Sequence, residues 1–101
     1  SDDEIEKSKP KPRKLPDPKV TLYAYAKEVY EQALKEYKAA EVVYAMDKAA
    51  FNKCQVVYGD KDAITKAWQK SAHEAKVKMD RCQAKHEDAR AAIFALNTWC
   101  G

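Results

Sequence analysis

An aromatic side chain returns at every seventh position through the first half of this sequence, from Tyr23 to Tyr58. Residues seven apart lie on one side of an α-helix, because seven residues make nearly two turns. A row of mostly small residues follows three positions later, and a row of mostly aliphatic residues lies one position earlier. The rows are Tyr23, Tyr30, Tyr37, Tyr44, Phe51 and Tyr58; Ala26, Ala33, Ala40, Asp47 and Cys54; and Leu22, Val29, Glu36, Val43, Ala50 and Val57.

Local signals set the limits of two helices. The last proline is Pro18, and Asp17 before it suits the capping position of a helix that begins there. Gly59 suits the left-handed position that ends a helix, and an aspartate follows at Asp60 and again at Asp62 to cap the next one. We therefore predict an all-α fold of two long antiparallel helices, a helical hairpin or antiparallel coiled coil. The predicted ranges are helix about 18–58, turn 59–61 and helix about 61–100.

The second helix repeats apolar or small residues at alternating spacings of three and four, as the seam of a coiled coil does. In a hairpin that turns at Gly59, Glu36 should lie near Cys82–His86 and Asp47 near Ser71–His73. The predicted seam residues are Thr65, Trp68, Ala72, Ala75, Met79, Cys82, His86, Ala89, Ile93, Leu96 and Cys100.

Residues 1–16 have a different composition, with acids, then bases and prolines, and no apolar periodicity. Such a segment predicts a flexible, charged, proline-rich tail ahead of a hairpin domain at 17–101. Its bases could contact phosphates, although the whole chain has a net charge of only +3. The nucleic-acid candidates are Lys9, Lys11, Arg13 and Lys14.

No motif of an enzyme, cofactor or metal site occurs in the sequence, so we predict a non-catalytic protein with no cofactor and no metal. Cys82 and His86 could supply half of a metal site, but a buried thiol and a hydrogen-bonded histidine are favoured. Cys54 and Cys82 would be roughly 27 Å apart along the hairpin, too far for a disulfide. An odd number of cysteines, three, favours a cytoplasmic or other reducing intracellular compartment. No apolar run is long enough for a membrane helix.

The apolar side of the first helix is wider than one partner helix can cover, and the base of the hairpin is rich in apolar residues. We therefore predict a protein-interaction or oligomerisation module that completes a helical bundle, as a homodimer or with another helical protein. Two alternatives stay open: a nucleic-acid-associated protein that binds through residues 7–19, and a helical adaptor or inhibitor that docks on an enzyme. The predicted interface residues are Tyr23, Tyr25, Tyr30, Tyr37, Tyr44, Phe94 and Trp99.

Overall fold

The computed structural model describes residues 17–99, which form two α-helices joined by a short turn. Helix α1 spans Pro18–Tyr58 and helix α2 spans Ala63–Thr98. Between residues 17 and 99 there is no β-strand, so the predicted all-α hairpin is confirmed. The predicted tail 1–16, with its candidate phosphate-binding residues, and Cys100 lie outside this range.

Both helices begin at the side chain of an aspartate. The Asp17 carboxylate accepts a hydrogen bond from the backbone N–H of Lys19 (2.8 Å), and Asp62 accepts one from Ile64 (2.9 Å). Helix α2 therefore begins at Ala63, two residues later than the sequence predicted, and the turn covers 59–62. The reason is that Asp60 is engaged elsewhere, since its carboxylate accepts a hydrogen bond from Gln55 Nε2 (2.7 Å). Helix α2 ends at Thr98, before the predicted residue 100.

Cross-helix hydrogen bonds at four levels show that the helices are antiparallel. Both facing predictions are confirmed, because Asp47 meets Ser71 and Glu36 meets a residue between positions 82 and 86. From the turn to the open end, the bonds are Thr65 Oγ1 to Cys54 O (3.1 Å), Ser71 Oγ to Asp47 Oδ2 (2.7 Å), Lys85 Nζ to Glu36 Oε2 (3.1 Å) and Lys19 Nζ to Trp99 O (2.7 Å).

Small side chains occupy the centre of the contact between α1 and α2. Within residues 17–99, the largest side chain with less than 2% of its surface exposed is that of Thr65. A seam of small residues brings two helices close together but removes little apolar surface from water. The buried residues are Ala26, Ala33, Ala40, Cys54, Thr65, Ala72, Ala75 and Ala89.

The larger members of the α2 seam are only half-buried, and Trp68 is exposed. The predicted arrangement of rows therefore holds in outline, with alanines at the centre and larger side chains beside them. Over residues 17–99, neither helix is long and apolar enough to cross a lipid bilayer.

Candidate partner-binding face

The alanine seam divides the surface of the hairpin into two long sides. One side, here called the aliphatic face, combines a row of α1 with the row of α2 that lies beside it across the seam. Residues seven apart continue each row, and the Lys85–Glu36 pair joins the two rows across the seam. The aliphatic face consists of Leu22, Val29, Glu36, Val43, Ala50 and Val57 from α1 and Ile64, Ser71, Lys78, Lys85, Ala92 and Trp99 from the second half of the chain.

Two grooves follow the aliphatic face, and buried alanines line both of them. The central groove has a volume of about 430 Å³, and its lining residues are Glu36, Ala39, Ala40, Val43, Ala75, Lys78 and Cys82. The groove nearer the open end has a volume of about 200 Å³, and its lining residues are Leu22, Tyr25, Ala26, Val29, Ala89, Ala92 and Leu96.

Large apolar side chains beside these grooves remain in contact with water. Leu22 exposes 47% of its surface, Val43 51% and Tyr25 66%. Isolated exposed apolar residues are ordinary on a protein surface, but apolar residues grouped beside a groove are typical of a binding surface. The aliphatic face therefore has the shape and chemistry to receive apolar side chains of a partner.

A charged cluster lies at the middle of the aliphatic face. The Glu36 carboxylate accepts hydrogen bonds from Lys85 Nζ (3.1 Å) and from Gln32 Nε2 (3.4 Å). The pKa of Glu36 is lowered below its ordinary value, chiefly by the hydrogen bond from Lys85 and then by that from Gln32. The positive charges of Lys85 and Lys78 lower it further. Glu36 therefore stays ionised at neutral pH and gives this otherwise apolar face a fixed charge pattern.

The opposite side carries the aromatic row, and its middle closes over α2. The ring of Tyr30 lies 5.0 Å from that of His86 and the ring of Tyr37 lies 6.1 Å from it, measured between centroids. The groove here has a volume of about 200 Å³ and a more polar lining: Tyr44, Lys48, Phe51, Gln69, Ala72, His73 and Lys76.

The predicted interface residues thus fall in different places. Tyr30, Tyr37 and Tyr44 are half-buried beside the molecule's own α2, whereas Tyr25 lines a groove of the aliphatic face. The others, Tyr23, Phe94 and Trp99, are exposed near the open end of the hairpin. Their role at an interface remains a prediction.

Cys82 and His86 have no third potential metal ligand beside them among residues 17–99. No group of three or more potential metal ligands occurs in the part of the chain that the structure describes. Cys82 is a free thiol in the central groove, and Cys54 is a buried free thiol. The prediction of a hydrogen-bonded histidine is wrong for His86 Nε2, which is buried without a hydrogen-bond partner among residues 17–99. The aromatic contacts of His86 account for its position.

The aliphatic row was visible in the sequence, where it was interpreted only as a flank of the seam. Its signal was the seven-residue spacing of Leu22, Val29, Val43 and Val57, which Glu36 and Ala50 interrupt, whereas the aromatic spacing has no interruption. Comparison with protein-family models, curated proteins and solved structures finds no match to this chain.

Proposed function

We propose that this protein is a non-catalytic interaction module that associates with a helical partner through its aliphatic face. One observation carries the proposal: the seam between α1 and α2 buries only small side chains, while grooves with large apolar neighbours remain open along one side. The free thiols of Cys54 and Cys82 suit a module that works in a reducing compartment.

Burial of the exposed aliphatic face supplies a driving force for association. Complete burial of one Leu, Val or aromatic side chain contributes about 1.5–3 kcal/mol. Leu22, Tyr25 and Val43 are each far from complete burial in the single hairpin. A small scaffold with a narrow core gains most from such a contact, because its own core supplies little stability.

A helix is the partner element that best matches the face. The grooves run alongside α1 and α2, and rows of side chains seven apart form ridges on either side of the alanines. Ridges of one helix pack into grooves of this kind, and small residues on the groove floor permit close approach. An amphipathic helix in an apolar groove is a recurrent mode of protein recognition.

Hydroxyl-radical footprinting of the full chain tests the proposal directly. Met46 continues the row of Tyr25 and Ala39 beside the grooves and exposes 67% of its surface, while Tyr58, in the aromatic row on the opposite side, exposes 57%. We expect labelling of Met46 and Tyr25 to fall, relative to that of Tyr58, as protein concentration rises or when cell extract is added. Labelling of Met46 and Tyr25 that does not change relative to Tyr58 under any of these conditions would contradict the proposal.

Adjacent valines provide a matched pair of variants for the same experiment. Val43 lies on the aliphatic face and Val42 on the outer side of α1, with similar exposed fractions of 51% and 58%. Val43→Lys places a charge in the groove beside Lys78 and should abolish the protection of Met46. Val42→Lys carries the same change on the other side and should leave the protection intact.

A further inference from the structure

We propose that the partner of the aliphatic face is a second copy of this chain, bound with open end beside open end and turn beside turn. The two-fold axis of this dimer runs parallel to the hairpins, so that α1 of each copy packs on α2 of the other. The product is a four-helix bundle. This inference rests on the proposed function and names its partner and orientation.

The Glu36–Lys85 pair sets the alignment of the two rows of the face. The Lys85 Nζ atom lies 3.1 Å from Glu36 Oε2, so the two residues lie within about one helical turn of the same level. Each step of seven residues along α1 matches a step of seven in the opposite direction along α2, because both helices have the same rise per residue. The neighbouring members of the two rows, each pair offset by less than about one helical turn, are Leu22 and Trp99, Val29 and Ala92, Glu36 and Lys85, Val43 and Lys78, Ala50 and Ser71, and Val57 and Ile64.

An axis parallel to the hairpins brings these neighbouring residues together between copies, because it leaves the height of every residue along the hairpin unchanged. A two-fold interface uses one surface twice, so every contact occurs in two symmetric versions. Glu36 of one copy then faces Lys85 of the second copy, and the reverse, which forms a ring of four alternating charges. Beyond this ring, Val29 meets Ala92 and Val57 meets Ile64 of the second copy. The central charges and most of the apolar contacts are therefore complementary, and the exception is Val43, which meets Lys78 of the second copy.

The other face-to-face orientation has its two-fold axis across the hairpins and sets the open end against the turn. In that arrangement α1 packs on α1 and α2 on α2. Lys78 of either copy then faces Lys85 of the other copy, which makes two contacts between like charges. Glu36 of either copy faces Val43 of the other. Facing like charges oppose association by several kcal/mol, so the row pattern of this chain favours the parallel axis.

A charge-exchange experiment separates the two orientations. In Lys85→Glu the central pair becomes two acids, and in Glu36→Lys it becomes two bases. Each variant alone should form homodimers at least about ten-fold more weakly than the wild type, because every charge at the centre repels. Mixed together, they should form heterodimers well above the statistical half, since each acid then faces a base on the other copy. Native mass spectrometry with one variant isotopically labelled measures the fractions.

Two controls keep this experiment interpretable. Lys76→Glu makes the same charge change on the opposite side of the hairpin and should dimerise like the wild type. The double variant Glu36→Lys with Lys85→Glu restores every opposite-charge contact and should also dimerise. Circular dichroism confirms that each variant is helical before mixing. A statistical mixture, or single variants that dimerise like the wild type, would overturn the proposed orientation.

A distance measured on the otherwise native chain provides a test that does not depend on the folding of those variants. A spin label attached through an unnatural amino acid at Lys61 marks the turn. With turn beside turn, pulsed electron paramagnetic resonance should give a distance below about 30 Å, set by the width of a bundle of helices each roughly 10 Å across. The orientation that sets the open end against the turn instead gives roughly 60 Å, because the two labels then lie one full hairpin length apart, about 40 residues at 1.5 Å per residue.

The outcomes for this inference and for the proposed function are distinguishable. If the protein is a monomer at every concentration and cell extract still protects Met46, the proposal of a second copy is overturned. The proposed interaction module, with a different partner, is then supported. A dimer with the longer label distance overturns only the orientation. Monomeric behaviour without any protection of Met46 overturns both proposals.

Discussion

At the scale of single residues, Glu36 shows how one polar position can organise an apolar row. Its carboxylate interrupts the aliphatic spacing of α1, yet it is matched by Lys85 across the seam and by Gln32 on its own helix. The sequence predicted the level at which Glu36 would meet α2. The choice of Lys85 as its partner depends on the rotation of α2 about its own axis, which only the packed structure defines.

The lowered pKa of Glu36 predicts a specific acid sensitivity. Because the folded-state pKa lies below the unfolded value, this group contributes stability above the unfolded pKa, and the contribution is lost as pH falls through the folded pKa. Glu36→Gln should therefore be less stable than the wild type at pH 7, and the difference should disappear near pH 2–3, below ordinary carboxylate pKa values by roughly 1–2 units. Urea unfolding at fixed protein concentration measures it.

The control for this experiment is Glu31→Gln, which removes an exposed carboxylate that makes no ion pair among residues 17–99. Its difference from the wild type should not vary in the same way across this pH range. A Glu36→Gln difference that is equally large in acid and at neutral pH would contradict the electrostatic assignment.

At the scale of secondary-structure elements, the alanine seam sets the distance between α1 and α2. Ala33 is 1% exposed, so a larger side chain at this position would have to displace the residues packed around it. Ala33→Leu should lower the free energy of unfolding by about 1–3 kcal/mol, because it forces the helices apart. Ala45→Leu, on the exposed side of α1, should change it by less than about 0.5 kcal/mol. Similar effects in the two variants would show that the seam is not closely packed.

The turn between the helices depends on the backbone of Gly59. Its φ of 88° and ψ of 166° lie in a region that side-chain-bearing residues seldom adopt, and no other group approaches within 4 Å of an added Cβ. Gly59→Ala should therefore destabilise the hairpin by about 1–3 kcal/mol through backbone strain alone. Lys61→Ala in the same turn is the control, expected within about 0.5 kcal/mol of the wild type. Thermal or urea unfolding measures both.

At the scale of the whole molecule, the proposed dimer predicts that stability depends on protein concentration. If the face binds a second copy, each tenfold rise in concentration should add about 1.4 kcal/mol to the apparent stability of the dimer by mass action. Circular dichroism melts over a wide concentration range measure the effect. The dependence should vanish in Val43→Lys and persist in Val42→Lys. A concentration-independent melt of the wild type, with a monomer mass, would count against self-association.

Much of the fold was determined by the sequence itself, because its signals are local. Asp17 and Pro18 start α1, Gly59 ends it, and Asp62 starts α2, each through hydrogen bonds or backbone angles within a few residues. The seven-residue rows likewise assigned the alanines to the seam, since the periodicity of a helix determines which side chains share a side. These features needed no knowledge of the second helix.

The tertiary structure alone decided which row remained beside open grooves. Aromatic and aliphatic rows flank the same alanines, and from α1 alone either could have closed over α2. In the packed hairpin, Tyr30 and Tyr37 cover His86, whereas Leu22 and Val43 remain beside open grooves. That choice depends on the rotation of each helix about its axis, which is set by contacts between residues far apart in the chain.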